Sequence, residues 1–201
     1  MTAASIPMPT LATVLWPSPT STQARALLRA LALAIAGSLL MTLSAKIQIP
    51  FWPVPMTMQT FVVLVLGVAY GWRLGAATML LYLVEGAMGL PVFSGTPERG
   101  IGLAYMMGPT GGYLVGFVLA AGLCGWLAER GWDRTLGRVT VAMLAGHALI
   151  LGCGVVWLSS IMGWDKAIQF GLSPFLAATV FKTALAVAAL PLAWRMLGRR
   201  T

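Results

Sequence analysis

The segment 85-EGAMGLPVFSGTPERGIGLAYMMGPTGGYLVGF-117 decides how this chain is to be read. It is a long passage of non-helical character set between two strongly apolar stretches. Pro91, Pro97 and Pro109 forbid regular helix, while Gly95, Gly100, Gly102, Gly108, Gly111 and Gly112 permit turns and close backbone approach. A flexible tether would be rich in serine and lysine. This segment instead carries Phe93, Ile101, Leu103, Tyr105, Met106 and Met107, apolar groups that need something to pack against. It therefore reads as an ordered loop over a ligand or the mouth of a cavity.

The flanks explain where such a loop would sit. The chain is 59% hydrophobic and 9% charged, against about 25% charged for a soluble domain, and its mean hydropathy is +0.86. That much apolar surface cannot be hidden by folding on itself, so an all-α integral membrane protein is expected. The alternation of a transmembrane barrel is absent. Apolar runs separated by charged or Gly/Pro breaks predict six transmembrane helices with structured outer loops, at about 25–45, 58–70, 74–88, 112–127, 139–161 and 174–197. Residues 1–24 form an irregular leader before one membrane domain over 25–201. The leader has no cationic start and is broken by Pro7, Pro9, Pro17 and Pro19, which does not fit a cleaved signal peptide.

The net charge of +8 would suggest nucleic acid in a soluble protein. Here the cations stand at span ends, where orientation and lipid head groups account for them, so no nucleic-acid partner is expected. With cytoplasmic termini, one side receives Arg25, Arg29, Arg73, Arg130, Arg134, Arg138, Arg195, Arg199 and Arg200, and the other only Lys46, Arg99 and Lys166. This places the Pro-rich 46–55 segment, the long Gly-rich loop and the loop at Trp164 on the outer face.

An enzyme needs a nucleophile with a base, paired carboxylates or a metal set. Only five carboxylates occur, of which Glu85 alone falls within a span; His147 has no serine in reach; Cys124 and Cys153 read as packing residues. No phosphate-binding G-x-x-x-x-G-K-[ST] run is present, so any ATP is handled by another chain. No metal or cofactor is expected. The polar groups Gln59, Thr60, Glu85, Arg99, Tyr105 and Lys182 all fall in the outer half, as for a closed pocket that captures a small solute. Lys182 lies eight residues past Pro174, about 12 Å down its helix. It should face the bundle interior, either as a partner of Glu85 or as a ligand contact balanced by Glu85 or by the ligand itself. The first span carries two small-residue stripes, Ala26/Ala30/Ala34 and Ala32/Ala36, either of which would let another helix approach closely.

Ile47-Gln-Ile-Pro, Pro53-Val-Pro-Met-Thr-Met-Gln-Thr, Gly89-Leu-Pro-Val-Phe and Gly108-Pro-Thr-Gly-Gly-Tyr-Leu-Val-Gly-Phe resemble the BioY family, the biotin-specific S components of energy-coupling-factor transporters. The resemblance runs from the first span to the sixth. It implies a multi-pass subunit of the bacterial cell membrane that binds biotin from outside, with the loops after spans one and three covering the ligand. It also implies a transmembrane coupling subunit and a pair of ATPases as partners. Phe93, Tyr105, the turn at Gly108, Arg99, Gln59, Glu85, Lys182 and Thr179 are the expected substrate contacts. The family's sixth span commonly reads Pro-Phe-x-Pro-Gly-Asp-x-x-Lys, and here it is Pro174-Phe-Leu-Ala-Ala-Thr-Val-Phe-Lys182. The lysine is kept and Thr179 replaces the acid, so one contact is made differently or through water. A relative of biotin or another ring-bearing vitamin is the alternative.

Overall fold

The computed structural model describes residues 8–17 and 22–198. Arg199, Arg200 and the remaining leader positions lie outside the described residues. Among those described, nine helices and one small hairpin follow in order: α1 (Leu11–Leu15), α2 (Gln23–Lys46), β1 (Gln48–Ile49), β2 (Met56–Thr57), α3 (Gln59–Tyr70), α4 (Trp72–Ala87), α5 (Gly102–Met106), α6 (Gly111–Ala128), α7 (Leu136–Met162), α8 (Trp164–Gly171) and α9 (Ser173–Gly198).

Three features differ from the sequence reading. The leader is not wholly irregular, because Thr10 opens the short helix α1. The fold is not purely α, because the Pro-rich segment closes into an antiparallel pair with Gln48 opposite Thr57 and Ile49 opposite Met56. The long loop is also shorter than expected: α4 runs through Glu85, α6 begins at Gly111, and α5 interrupts the remainder. Among the described residues, four segments are long and apolar enough to cross a bilayer, those at Gln23–Lys46, Gly111–Ala128, Leu136–Met162 and Trp164–Leu197. Helix α3 is a shorter apolar helix of 12 residues and α4 has 16, about 18 and 24 Å of rise, less than the roughly 30 Å hydrocarbon thickness.

The bundle is built around α6, which packs on α3, α4 and α7. Its glycines make this possible. A Cβ on Gly112 would strike the Cβ of Trp157 and the Cys153 carbonyl on α7, so the two backbones meet with no side chain between them. At the far end Gly71, with φ of 82°, makes the single-residue turn between α3 and α4 in a conformation that favours glycine.

The two ends of the bundle differ. One, the connector end, collects Arg29, Arg73, Arg130, Arg134 and Arg195 at the starts or ends of helices. There Arg130 lies 3.4 Å over the Trp126 ring and Arg134 4.5 Å over that of Trp194, aromatic-cation pairs suited to a bilayer interface. Residues 8–17 cross this end. Met8 N–H donates to Glu129 O at 2.8 Å, and Arg29, 9% exposed, donates from Nε to Trp16 O at 2.6 Å and from Nη2 to Ala12 O at 2.7 Å. The opposite, loop end carries the hairpin, the 88–110 loop and α8.

Candidate functional site

The two loops at the loop end are sewn into one cover. Lys46, at the last turn of α2, spends its three N–H groups on Pro91 O at 3.0 Å, Phe93 O at 3.1 Å and Thr96 Oγ1 at 3.3 Å. Arg99 returns the bond, with Nη1 donating to Pro53 O at 3.2 Å and Nη2 to Phe51 O at 3.1 Å. Ser94 Oγ donates to Gln48 Oε1 of the hairpin. Arg99 is thus neither a bare surface charge nor aimed at the interior; it clips the Pro-rich loop to the Gly-rich one. Lys46 does the same from the other side, a role its place in the sequence did not signal, since there it counted only toward orientation.

Beneath this cover the side chains are aromatic and closely stacked. Phe93, 1% exposed, lies 4.8 Å from the Tyr105 ring with planes 16° apart, and meets Tyr82 edge-on at 5.4 Å. Tyr82 connects cover to floor. Its hydroxyl donates to Val92 O at 3.0 Å and accepts from Gln59 Nε2 at 2.7 Å, while Gln59 Oε1 accepts from Thr57 Oγ1 at 3.2 Å. Thr57 Oγ1 also accepts the first N–H of α3, that of Gln59, at 3.3 Å, which fixes where this helix starts.

Against that chain of bonds lies a narrow cleft of about 40 Å3. Thr57, Gln59 and Thr60 give one wall its hydrogen-bonding groups, and Ser94, Tyr105 and Thr110 come down from the long loop. Phe117 of α6, Phe175 of α9 and Leu151 of α7 make the facing side apolar. Burial pushes the Tyr105 phenol up, so it stays protonated and can donate. The chemistry of this lining matches a polar edge on an apolar ring.

The structure places the expected contacts unevenly. Gln59 and Tyr105 line the cleft. Phe93 stands behind Tyr105 as a packing ring, and Gly108 offers its carbonyl to Trp157 Nε1 at 2.9 Å, which anchors the loop's end on α7. Lys182, 5% exposed, sits just behind the wall. Its Nζ donates to Thr57 O at 2.6 Å and to Thr60 Oγ1 at 2.8 Å. Glu85 is elsewhere, accepting from Ser38 Oγ on α2, so the Lys182–Glu85 pair does not form. Thr179 opens onto a separate groove between α7 and α9. Ser94 joined the cleft without a sequence signal, a common residue whose position depends on the path of a non-repetitive loop; Thr110 and Tyr113 fall inside the Gly108–Phe117 motif, which marked the segment but not which of its side chains line the cleft.

The small-residue stripes are also resolved. Ala34 is buried and Ala26 and Ala30 are half-buried, so that stripe faces the bundle, whereas Ala32 and Ala36 are exposed among Leu28, Leu39 and Leu43.

The family model described as the BioY family matches residues 16–199. The chain belongs to the BioY family. It is similar to the probable biotin transporter BioY of Pyrococcus horikoshii, 36% identical over 148 residues that cover 74% of this chain and 85% of that one. It is similar to the biotin transporter BioY of Thermotoga maritima, 37% identical over 148 residues, 73% of this chain and 85% of the relative. Its fold resembles that of a crystal structure of the S-component for biotin from an ECF-type ABC transporter, with a TM-score of 0.70 over 88% of this chain and 95% of the other at 22% identity. In this BioY chain the segments that carry the family motifs are those that form the cover and the cleft wall.

Proposed function

We propose that this chain is the substrate-binding membrane subunit of an energy-coupling-factor-type transporter and that it captures biotin in the cleft beneath the joined loops. The observation that carries the reading is family membership over residues 16–199 together with a cleft walled by that family's motif residues, Pro55, Thr57, Gln59 and Thr110 among them. The names of its relatives as biotin transporters support the ligand. On this reading the chain does no chemistry; it binds and hands over.

The cleft opens to the outside. The cations gathered at the connector end support a cytoplasmic position for that end under the positive-inside tendency, with the loop end out and both termini in. Helices α2, α3, α4, α6, α7 and α9 are then six spans, the short α3 and α4 completed by the hairpin and the 88–110 loop buried over them. Residues that meet the ligand are Gln59, Thr60 and Tyr105 directly, with Lys182 reaching it beside Thr60; Arg99, Phe93 and Gly108 hold the cover in shape. Partners are a transmembrane coupling subunit, docked on the exposed Ala32/Ala36 face of α2, and ATPases that bind the ATP. The chain is a multi-pass protein of the bacterial cell (inner) membrane.

Purified protein tested by equilibrium binding against labelled biotin, desthiobiotin and a panel of other vitamins checks the reading. Tight retention of biotin alone or with its close analogue is expected. Preference for a different vitamin, or retention of none, overturns it.

A further inference from the structure

Between α7 and α9 a second, more open groove of about 490 Å3 backs onto the cleft. Leu151 lines both, so that side chain is the partition between them. The groove's walls are apolar, and Trp164 marks its upper end. From Val156 down to His147 is nine residues of α7, about 13 Å. At the deep end stand its two polar residues, Thr179 and His147.

His147 is 3% exposed. Its Nδ1 lies 2.9 Å from Met143 O. A carbonyl can only accept, so Nδ1 carries the proton and Nε2 of the neutral ring is a bare acceptor. That Nε2 is buried and has no partner among the described residues. Other buried polar groups of this region are paired, Gln59 with Tyr82 and Lys182 with Thr57 and Thr60; the other orphan, Asp133 Oδ1, lies at the connector end. Where no water can substitute, an acceptor left without a donor is costly, so a donor that arrives only with the ligand is the natural complement. Thr183 Oγ1, 3.4 Å from the same ring, is one turn along α9 from Thr179, which lines the groove together with His147.

We propose that His147 Nε2 is a specificity contact that accepts an N–H of the ligand's cyclic urea, with the Thr179 hydroxyl serving a second polar atom of the same ring and Leu151 turning aside to admit it. The inference rests on the biotin reading above. A ureido ring carries two N–H donors and one carbonyl on an otherwise apolar bicycle, which fits one bare acceptor and one hydroxyl in apolar walls. It also gives this chain an acceptor at the level of Thr179.

The test uses the full chain in detergent and biotin carrying a methyl on one or the other ureido nitrogen, with dissociation constants from calorimetry. In the wild type, methylating one of the two nitrogens should weaken binding by about tenfold or more, the loss of one good hydrogen bond. His147→Leu should weaken biotin by a similar factor and bind that methylated isomer as well as it binds biotin, while His147→Gln, which keeps an acceptor, should recover part of the difference. A wild type that binds both methylated isomers within twofold of biotin overturns the proposal without any variant, as does a His147→Leu protein that binds biotin as the wild type does. A wild type that retains no biotin removes the functional reading as well; loss of the His147 effect alone leaves that reading standing.

Discussion

Replacing Lys182 by methionine separates binding from folding. An ammonium has three N–H groups, and Lys182 uses two of them, on Thr57 O at 2.6 Å and Thr60 Oγ1 at 2.8 Å. One donor remains for a ligand held beside Thr60. A hydrogen bond to a charged group contributes about 1.5–3 kcal/mol, and every 1.4 kcal/mol is a tenfold change in affinity, so Lys182→Met should weaken biotin binding by about 10- to 150-fold. The fold should survive. Losing the two internal bonds, about 1.5–3 kcal/mol each, is partly offset by no longer holding an ammonium in hydrocarbon, about 2.5–3.5 kcal/mol on insertion scales. The assay is calorimetric or radiolabel binding on the size-exclusion peak, with the melting temperature recorded alongside. A monodisperse Lys182→Met protein that binds biotin within twofold of wild type would refute the reasoning. So would rescue of binding by the double exchange Lys182→Glu with Glu85→Lys, since Glu85 is bonded to Ser38 on α2 and has no contact with Lys182 to restore.

Four further outcomes follow from the same contacts. Tyr82→Phe leaves Gln59 Nε2 and Val92 O without their partner and should cost about 1–3 kcal/mol, read as a lower melting temperature with faster hydrogen exchange in residues 90–97. Arg99→Ala should free the Phe51 and Pro53 carbonyls and speed biotin dissociation, with a carboxyl-amidated biotin affected equally; an effect confined to the free acid would instead place Arg99 on the carboxylate. Ala32→Trp and Ala36→Trp should abolish co-purification with a coupling subunit while leaving biotin binding intact, whereas Ala34→Trp, buried in the bundle, should lower stability. Asp133, 2% exposed, accepts from Trp194 Nε1 at 2.6 Å, and burial raises its carboxyl above the usual range. A raised folded-state pKa means stability that is present at low pH and lost as pH climbs past the ordinary carboxylate range, so Asp133→Asn should raise the melting temperature at neutral pH, and the gain should vanish in acid.

The membrane class, the helix order and the outline of the cover were legible because they depend on apolar length and on proline and glycine, whose effects are local. That Gln59 and Lys182 turn inward was legible for a related reason: a polar group in an apolar span must find a partner. What escaped was long-range pairing. Lys46 and Arg99 each bind carbonyls more than forty residues away, and a backbone carbonyl leaves no mark in sequence. Glu85 was matched to Lys182 by estimated depth, but depth says nothing of azimuth, and helix α4 turns its carboxylate toward Ser38 on α2. The hairpin was hidden for the opposite reason: its prolines ruled out helix, yet two-residue strands are too short to show alternation.

The strap across the connector end has a practical corollary for anyone shortening this protein. Arg29 holds its guanidinium at the foot of the first span by donating hydrogen bonds to the Trp16 and Ala12 carbonyls. Trimming the chain to residue 22, as its proline-rich start invites, would strip both acceptors from a cation that cannot discharge itself. The first helix would have to slide or tilt until that side chain reached head groups. A cut before residue 8 spares the strap.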